Sequence, residues 1–169
     1  GNTYREHKQA LEFSEDEMKK IYEYAKKIDI ICFATPFDIN SVDMLERLGN
    51  TIYKISSFHV VDLKLIEKVA KTKKPILMST GMSSIEEIET AVNLIRKYSD
   101  NFALFQCTSS YPTSDENVNL RVIPQLRNKF DCPVGYSGHE RGTTISVASV
   151  TLDACMIERH FTLDRTMKG

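Results

Sequence analysis

The chain has no apolar run approaching the roughly 20 residues that a membrane-spanning helix needs, and its first residues carry no signal-peptide core. It lacks charge of one sign. The formal net charge is −1, which argues against a nucleic-acid-binding or polybasic membrane surface. Cysteine is scarce and unpaired. Cys32, Cys107, Cys132 and Cys155 form no CxxC pair, and three of them lie in apolar strand-like runs. Buried, reduced thiols and a cytoplasmic location are therefore expected, and a cysteine-based zinc site is not.

What is present is ordinary for a soluble globular domain: 41% hydrophobic and 27% charged residues in a chain of 169, enough for a single sizeable core. No linker, low-complexity tract or second domain interrupts it. Residues 1–13 are polar without clear periodicity and read as a loop. Ser14 and Glu17 then form a capping box, followed by Met18, Ile21, Tyr22, Ala25 and Ile28 at helical spacing.

From there a unit repeats. Short apolar runs at residues 30–34, 52–57, 75–79, 102–107, 133–136 and 154–157 read as strands. Helices are expected between them at 41–48, 62–70, 85–98, 120–129 and 143–152. Gly49 can end the first of these, and Ser84 with Glu87 caps the third. Six strands spaced by helices at intervals of about 20 to 30 residues predict successive βα units, right-handed crossovers and one parallel sheet. The fold class is α/β.

Each predicted strand ends in polar residues: Thr35 and Asp38; Lys54, Ser57 and His59; Ser79 and Thr80; Thr108, Ser109 and Tyr111; Ser137 and His139; His160. In parallel α/β folds the carboxyl edge of the sheet is where ligands bind. Thr80 and Thr108 could equally cap the helices that follow. His139 and His160 fall just past successive strands, where two imidazoles can converge on one ion. Lys54 interrupts an apolar strand, and an ammonium is seldom buried without a partner. A structural ion pair, an anion clamp and a Schiff-base lysine of the aldolase kind all fit that position.

ATPFD (34–38), YKISS (53–57), ILMSTGM (76–82), FQCTSSYP (105–112), NLRVIPQL (119–126), GYSGHE (135–140) and IERHFTLDRTMKG (157–169) occur in one order and spacing. Together they resemble the sialic acid synthase family: N-acetylneuraminate synthases and the related enzymes that make other nonulosonic acids. The resemblance covers nearly the whole chain from Phe13 onward. It implies an incomplete (β/α)8 TIM barrel, with six βα units corresponding to strands 3–8. The first two strands and a C-terminal antifreeze-like domain would then lie outside residues 1–169.

The same resemblance implies a cytoplasmic transferase of polysaccharide biosynthesis that condenses phosphoenolpyruvate with an N-acylated hexosamine, by default N-acetylmannosamine. Phosphate leaves by C–O cleavage. Lys54, Ser57, Ser79 and Ser137 would hold phosphoenolpyruvate. Thr35, Ser109 and Tyr111 would line the substrate site, with Tyr111 against the sugar. His139 and His160 would hold a divalent ion, most often Mn2+, with Mg2+ or Co2+ as alternatives. The full-length enzyme would be a homodimer, with neither nucleic acid nor membrane among its partners. A Schiff-base aldolase using Lys54 and a catalytically inactive sugar-binding homologue are the competing readings.

Three positions depart from the family pattern. His59 stands where a Glu or Asp is usual, so the catalytic role expected of it would be played with a different charge. Ser109 stands where Asn is frequent. Asp153 replaces a Gly before the last strand, at a modest cost if that position is left-handed.

Overall fold

The computed structural model describes residues 3–164 and 166. Helices α1 (Tyr4–Leu11), α2 (Glu15–Lys27) and α3 (Ile39–Arg47) precede the first strand. Strands β1 (Tyr53–Ile55), β2 (Ile76–Ser79), β3 (Phe102–Cys107), β4 (Val134–Gly138) and β5 (Ile157–Arg159) then alternate with α4 (Leu63–Ala70), α5 (Ile85–Arg96), α6 (Val122–Phe130) and α7 (Thr144–Val150). The strands pair in chain order, every pair parallel, in a sheet curled into a half barrel.

Local chemistry sets the helix starts. Ser14 and Glu17 close a reciprocal capping box at α2, and Ser84 and Glu87 close another at α5. Asp38 and Asp62 accept amide hydrogen bonds at the starts of α3 and α4. α1 was not expected, because its sequence offers no apolar face. Its start carries a signal nonetheless: Thr3 and Glu6 exchange backbone-to-side-chain hydrogen bonds of 3.2 and 3.3 Å.

Strand periodicity divides the sheet into two faces. Tyr53 and Ile55, Ile76 and Met78, Leu104, Val134 and Tyr136 pack against the helices with Ile66, Val92, Ile95, Ile123 and Leu126. Each fully buried aliphatic side chain there contributes about 1.5–3 kcal/mol. The other face carries Lys54, Ser79, Phe105, Gly135, Cys107, Ser137 and Glu158, which alternate with the first set along the same strands. Gly135 is in register with Phe105. A Cβ there would lie 2.5 Å from the Phe105 ring, so the bare backbone makes room for the aromatic.

Five strands form among the described residues, not the six expected. The run at 30–34 contributes a single bridge, Ala34 to Tyr53. Two of its amides are already used: Ile30 donates to the Ala25 carbonyl at the end of α2, and Ala34 donates to Asn50 Oδ1. Ile30 and Ile31 are 60% and 72% exposed, so burial does not fix the run as a strand. The last strand lies later than 154–157. The Ala154 amide binds the Ser149 carbonyl behind α7, and the ladder strand begins at Ile157. Asp153 has φ +64°, so the condition for a modest cost at this position is met.

Candidate active site

A cavity of about 630 Å³ opens at the carboxyl ends of the strands. Its lining includes Thr35, Lys54, Ser57, Ser79, Ser109, Tyr111, Ser137, His139 and His160. Nine of the ten expected site residues therefore share one space. The tenth, His59, is 7% exposed and is absent from that lining. It lies in a short 3-10 turn (Ser57–His59) after β1, with its Nδ1 2.9 Å from Ser56 Oγ. Its ring packs between Phe37, edge-on at 5.2 Å, and Phe58 at 4.1 Å. Burial lowers its pKa, against smaller opposing effects of Asp62 and the Phe37 backbone.

The floor is polar. Lys54 Nζ donates to Ser79 Oγ at 2.8 Å and lies 3.3 Å from Glu158 Oε1, which accepts from Ser137 Oγ at 2.8 Å. Two serines, an ammonium and a carboxylate thus form one chain of contacts across the concave face. Ser57 Oγ accepts the Gly81 amide at 3.1 Å. Cys107 lies in the same floor, its Sγ 4.0 Å from both Ser109 Oγ and His139 Nδ1. Burial pushes the thiol pKa up. Hydrogen bonds from His139, Ser57 and Ser137 outweigh that and leave it below the ordinary value.

The histidines follow from register. Ser137 pairs with Glu158 and Gly138 with Arg159, and the next residues on the two strands are His139 and His160. Their ring centroids are 5.2 Å apart at 82°. Tyr111 lies against both, 3.9 Å from the His139 ring and 5.5 Å from the His160 ring. His139 Nδ1 is 2.8 Å from the Thr108 carbonyl. Nδ1 must therefore carry the proton it donates, which leaves Nε2 as an acceptor or metal ligand. Burial lowers the His139 pKa, but the contacts with Cys107 and the Thr108 carbonyl outweigh it, so the net shift is upward. For His160, burial and then the neighbouring His139 lower it.

Among the described residues no group of three or more His, Cys, Asp or Glu is arranged to hold a metal ion. Two convergent imidazoles, one with its second nitrogen tied to a carbonyl, fit an ion whose remaining positions stay open to water or substrate.

Sequence reasoning gave no part to Glu158 or Cys107. Strand alternation could have found both: Glu158 is two residues before His160, and Cys107 two before Ser109. The apolar rim of Phe37, Phe58, Met82 and Phe161 carried no such signal.

A parallel α/β half barrel with a polar-floored, apolar-rimmed cavity at its strand ends defines the class. The NeuB family model matches residues 1–169, and the chain belongs to that family. It is 42% identical over 170 residues to the N-acetylneuraminate-9-phosphate synthases of Mus musculus and Homo sapiens, covering all of this chain and 47% of each relative. It is 44% identical over 164 residues to the N,N'-diacetyllegionaminic acid synthase of Campylobacter jejuni, covering 95% of this chain and 49% of that protein. The crystal structure of N-acetylneuraminic acid (sialic acid) synthetase from Leptospira borgpetersenii in complex with citrate superposes with a TM-score of 0.89 at 39% identity. That match covers 92% of this chain and 54% of the other. The chain spans about half the length of the curated relatives it matches.

Proposed function

We propose that this chain carries the strand-end half of the active site of a nonulosonic acid synthase. The reaction would join phosphoenolpyruvate to an open-chain N-acylated hexosamine, by default N-acetylmannosamine. The carbon–carbon bond forms between C3 of phosphoenolpyruvate and the sugar's aldehyde carbon. Water adds at C2, and phosphate departs with its bridging oxygen as the C2–O bond breaks. The observation that carries this reading is one cavity holding an ammonium, five serines and two convergent imidazoles, in a chain whose relatives are nonulosonic acid synthases.

Each residue is assigned a part from the family resemblance and its place in the cavity. Lys54, Ser57 and Ser79 donate to the phosphate and carboxylate of phosphoenolpyruvate, charge-assisted in the case of Lys54, and Ser137 joins them when its one hydroxyl proton turns from Glu158 to the anion. Glu158, hydrogen-bonded to Ser137 and facing Lys54, orients those donors. Tyr111, packed on the His139 ring, offers a face to the sugar, and Ser109 and Thr35 offer hydroxyls at its edge. The rim of Phe37 and Phe58 takes the acyl methyl. His139 and His160 would hold a divalent ion, Mn2+ by the family resemblance, which would supply Lewis-acid polarisation of the aldehyde oxygen when bound. His59 supports the aromatic rim from behind, packed on Phe37 and Phe58.

The test is phosphate release by the intact protein, dependent on phosphoenolpyruvate and screened over a panel of N-acylated hexosamines. Release requiring both substrates supports the proposal. Borohydride trapping that labels Lys54 in place of such release would establish an aldolase instead.

A further inference from the structure

Beside the strand ends that carry the two histidines lies an ion pair, one member buried and the other partly exposed, with no part in the chemistry above. The Glu140 side chain is 0% exposed and pairs with the Arg159 guanidinium. Glu140 follows His139 directly, and Arg159 directly precedes His160. Strand alternation turns His139 and His160 toward the cavity, while Glu140 lies off its lining and Arg159 borders it.

The contacts of this pair are numerous and mutually consistent. Tyr136 Oη donates to Glu140 Oε2 at 2.6 Å. Ser146 Oγ, on α7, donates to Glu140 Oε1 at 3.5 Å. Arg159 also donates to the Glu140 carbonyl, and to the Gly142 carbonyl at 3.1 Å. The guanidinium thus grips both the side chain and the backbone of the loop after β4, from the last residue of β5. Gly138 records how tightly the parts meet. A Cβ there would stand 2.6 Å from Arg159 Nη1 and 2.7 Å from Glu140 Oε2, so any side chain would push the pair apart.

A pair with one buried member is weak evidence for stability, because desolvation of the carboxylate offsets much of the attraction. Fixing a geometry is a better account of its place. The ladder between β4 and β5 ends at Gly138 and Arg159. Past that point the separation of the two histidines depends on what ties the two loops together.

We propose that Glu140 and Arg159 form a latch that sets the spacing of His139 and His160. They are positioning residues for the two-histidine site, and the inference rests on the proposed function only where a metal is concerned. Without the latch the loop after β4 keeps its ties to the loop after β3, from the Thr113 amide to the His139 carbonyl and from His139 Nδ1 to the Thr108 carbonyl, but loses its tie to β5, and the imidazoles no longer face each other.

The experiment uses the intact protein and the variants Glu140→Gln, Arg159→Lys and His139→Ala. Two quantities are read: Mn2+ affinity by electron paramagnetic resonance, and the nuclear Overhauser contact between the His139 and His160 rings without metal. Latch variants are expected to lose the ring contact and to bind Mn2+ about 10- to 100-fold more weakly, the range for residues that orient metal ligands. Arg159→Lys keeps a charge beside Glu140 but cannot span both carbonyls, so it carries the test should Glu140→Gln fail to fold. A purely structural pair would lower the melting temperature and leave the ring contact in place, and that result overturns the latch. If the wild type binds no Mn2+, or His139→Ala binds it undiminished, the metal reading falls. The ring contact alone then decides the latch: its loss in the variants upholds the proposal, and its persistence ends it.

Discussion

Lys54 Nζ lies 3.3 Å from Glu158 Oε1, although the two residues stand on the first and last strands of the five-stranded sheet. Neighbouring strands are about 4.8 Å apart, so a flat sheet would hold them far beyond contact. The ion pair is therefore a direct consequence of the curl. It also answers the question Lys54 raises in the sequence: the ammonium is buried with a carboxylate partner and a serine acceptor. That satisfies the structural requirement while leaving donors in the cavity for an anion.

Removing Lys54 tests both parts of that statement. Lys54→Met leaves Glu158 half-buried without its cation, and a loss of about 1–3 kcal/mol in stability is expected. The double variant Lys54→Met/Glu158→Gln should recover much of that loss by removing the unpaired charge. Neither should bind phosphoenolpyruvate measurably. Chemical denaturation and calorimetric titration read the two effects separately. Recovery of phosphoenolpyruvate binding together with stability in the double variant would make Lys54 a structural residue only.

Where the sequence was legible, burial and alternation agreed. Phe102–Cys107 was expected as a strand and is one, because all six of its residues are buried and no other signal competes. The histidine pair was legible from the spacing of strand ends alone. Residues 30–34 were misread because an apolar composition does not reveal that the Ile30 and Ala34 amides already have other acceptors. His59 lies behind the rim for a different reason. Alternation carried on from Lys54 aims residues 56 and 58 into the cavity and residue 59 away from it, and the chain in any case enters a 3-10 turn at Ser57. Glu158 was overlooked although alternation pointed to it, since its partner Lys54 is 104 positions away in the sequence and the curl that joins them is a property of the whole sheet.

Gly81→Ala probes the floor from the backbone side. A Cβ at Gly81 would stand 2.5 Å from Ser109 Oγ and 3.0 Å from both the Cys107 carbonyl and Ser57 Oγ. The carbonyl belongs to β3 and cannot yield cheaply, so overpacking should cost about 1–3 kcal/mol. Ser57 should also be displaced from the Gly81 amide. The check is a lower melting temperature together with weakened phosphoenolpyruvate binding. Unchanged binding in the folded variant would show that Ser57 does not reach the anion.

The aromatic rim makes a separate prediction. Phe58 is half exposed at the cavity edge and packs on Phe37 with ring centroids 5.3 Å apart. If the rim takes the acyl methyl of the sugar, Phe58→Ser should lower kcat/KM for the acceptor roughly 10- to 200-fold, the range for lost apolar contact in a substrate pocket. The KM for phosphoenolpyruvate should stay close to that of the wild type. Steady-state kinetics with each substrate varied in turn measures this, and equal effects on both substrates would refute a role confined to the acceptor.

His59 links the rim to pH. Burial holds its pKa in the folded protein below the ordinary value, which is about 6.5 in an unfolded chain. Between those two values the unfolded state binds a proton that the folded state does not, so stability rises with pH across that window. Read downward, stability is lost as pH falls below about 6.5 and the loss levels off at the folded pKa. His59→Gln removes this titration and retains a side chain able to hydrogen-bond Ser56. The variant should be somewhat less stable than the wild type at about pH 7.5, and the difference should shrink as the pH approaches about 5. His160 is shifted the same way but is present in both proteins, so it cancels in the comparison. Melting curves at matched ionic strength across that range measure the effect. A difference that stays constant with pH would mean that the buried ring is not held neutral by its surroundings.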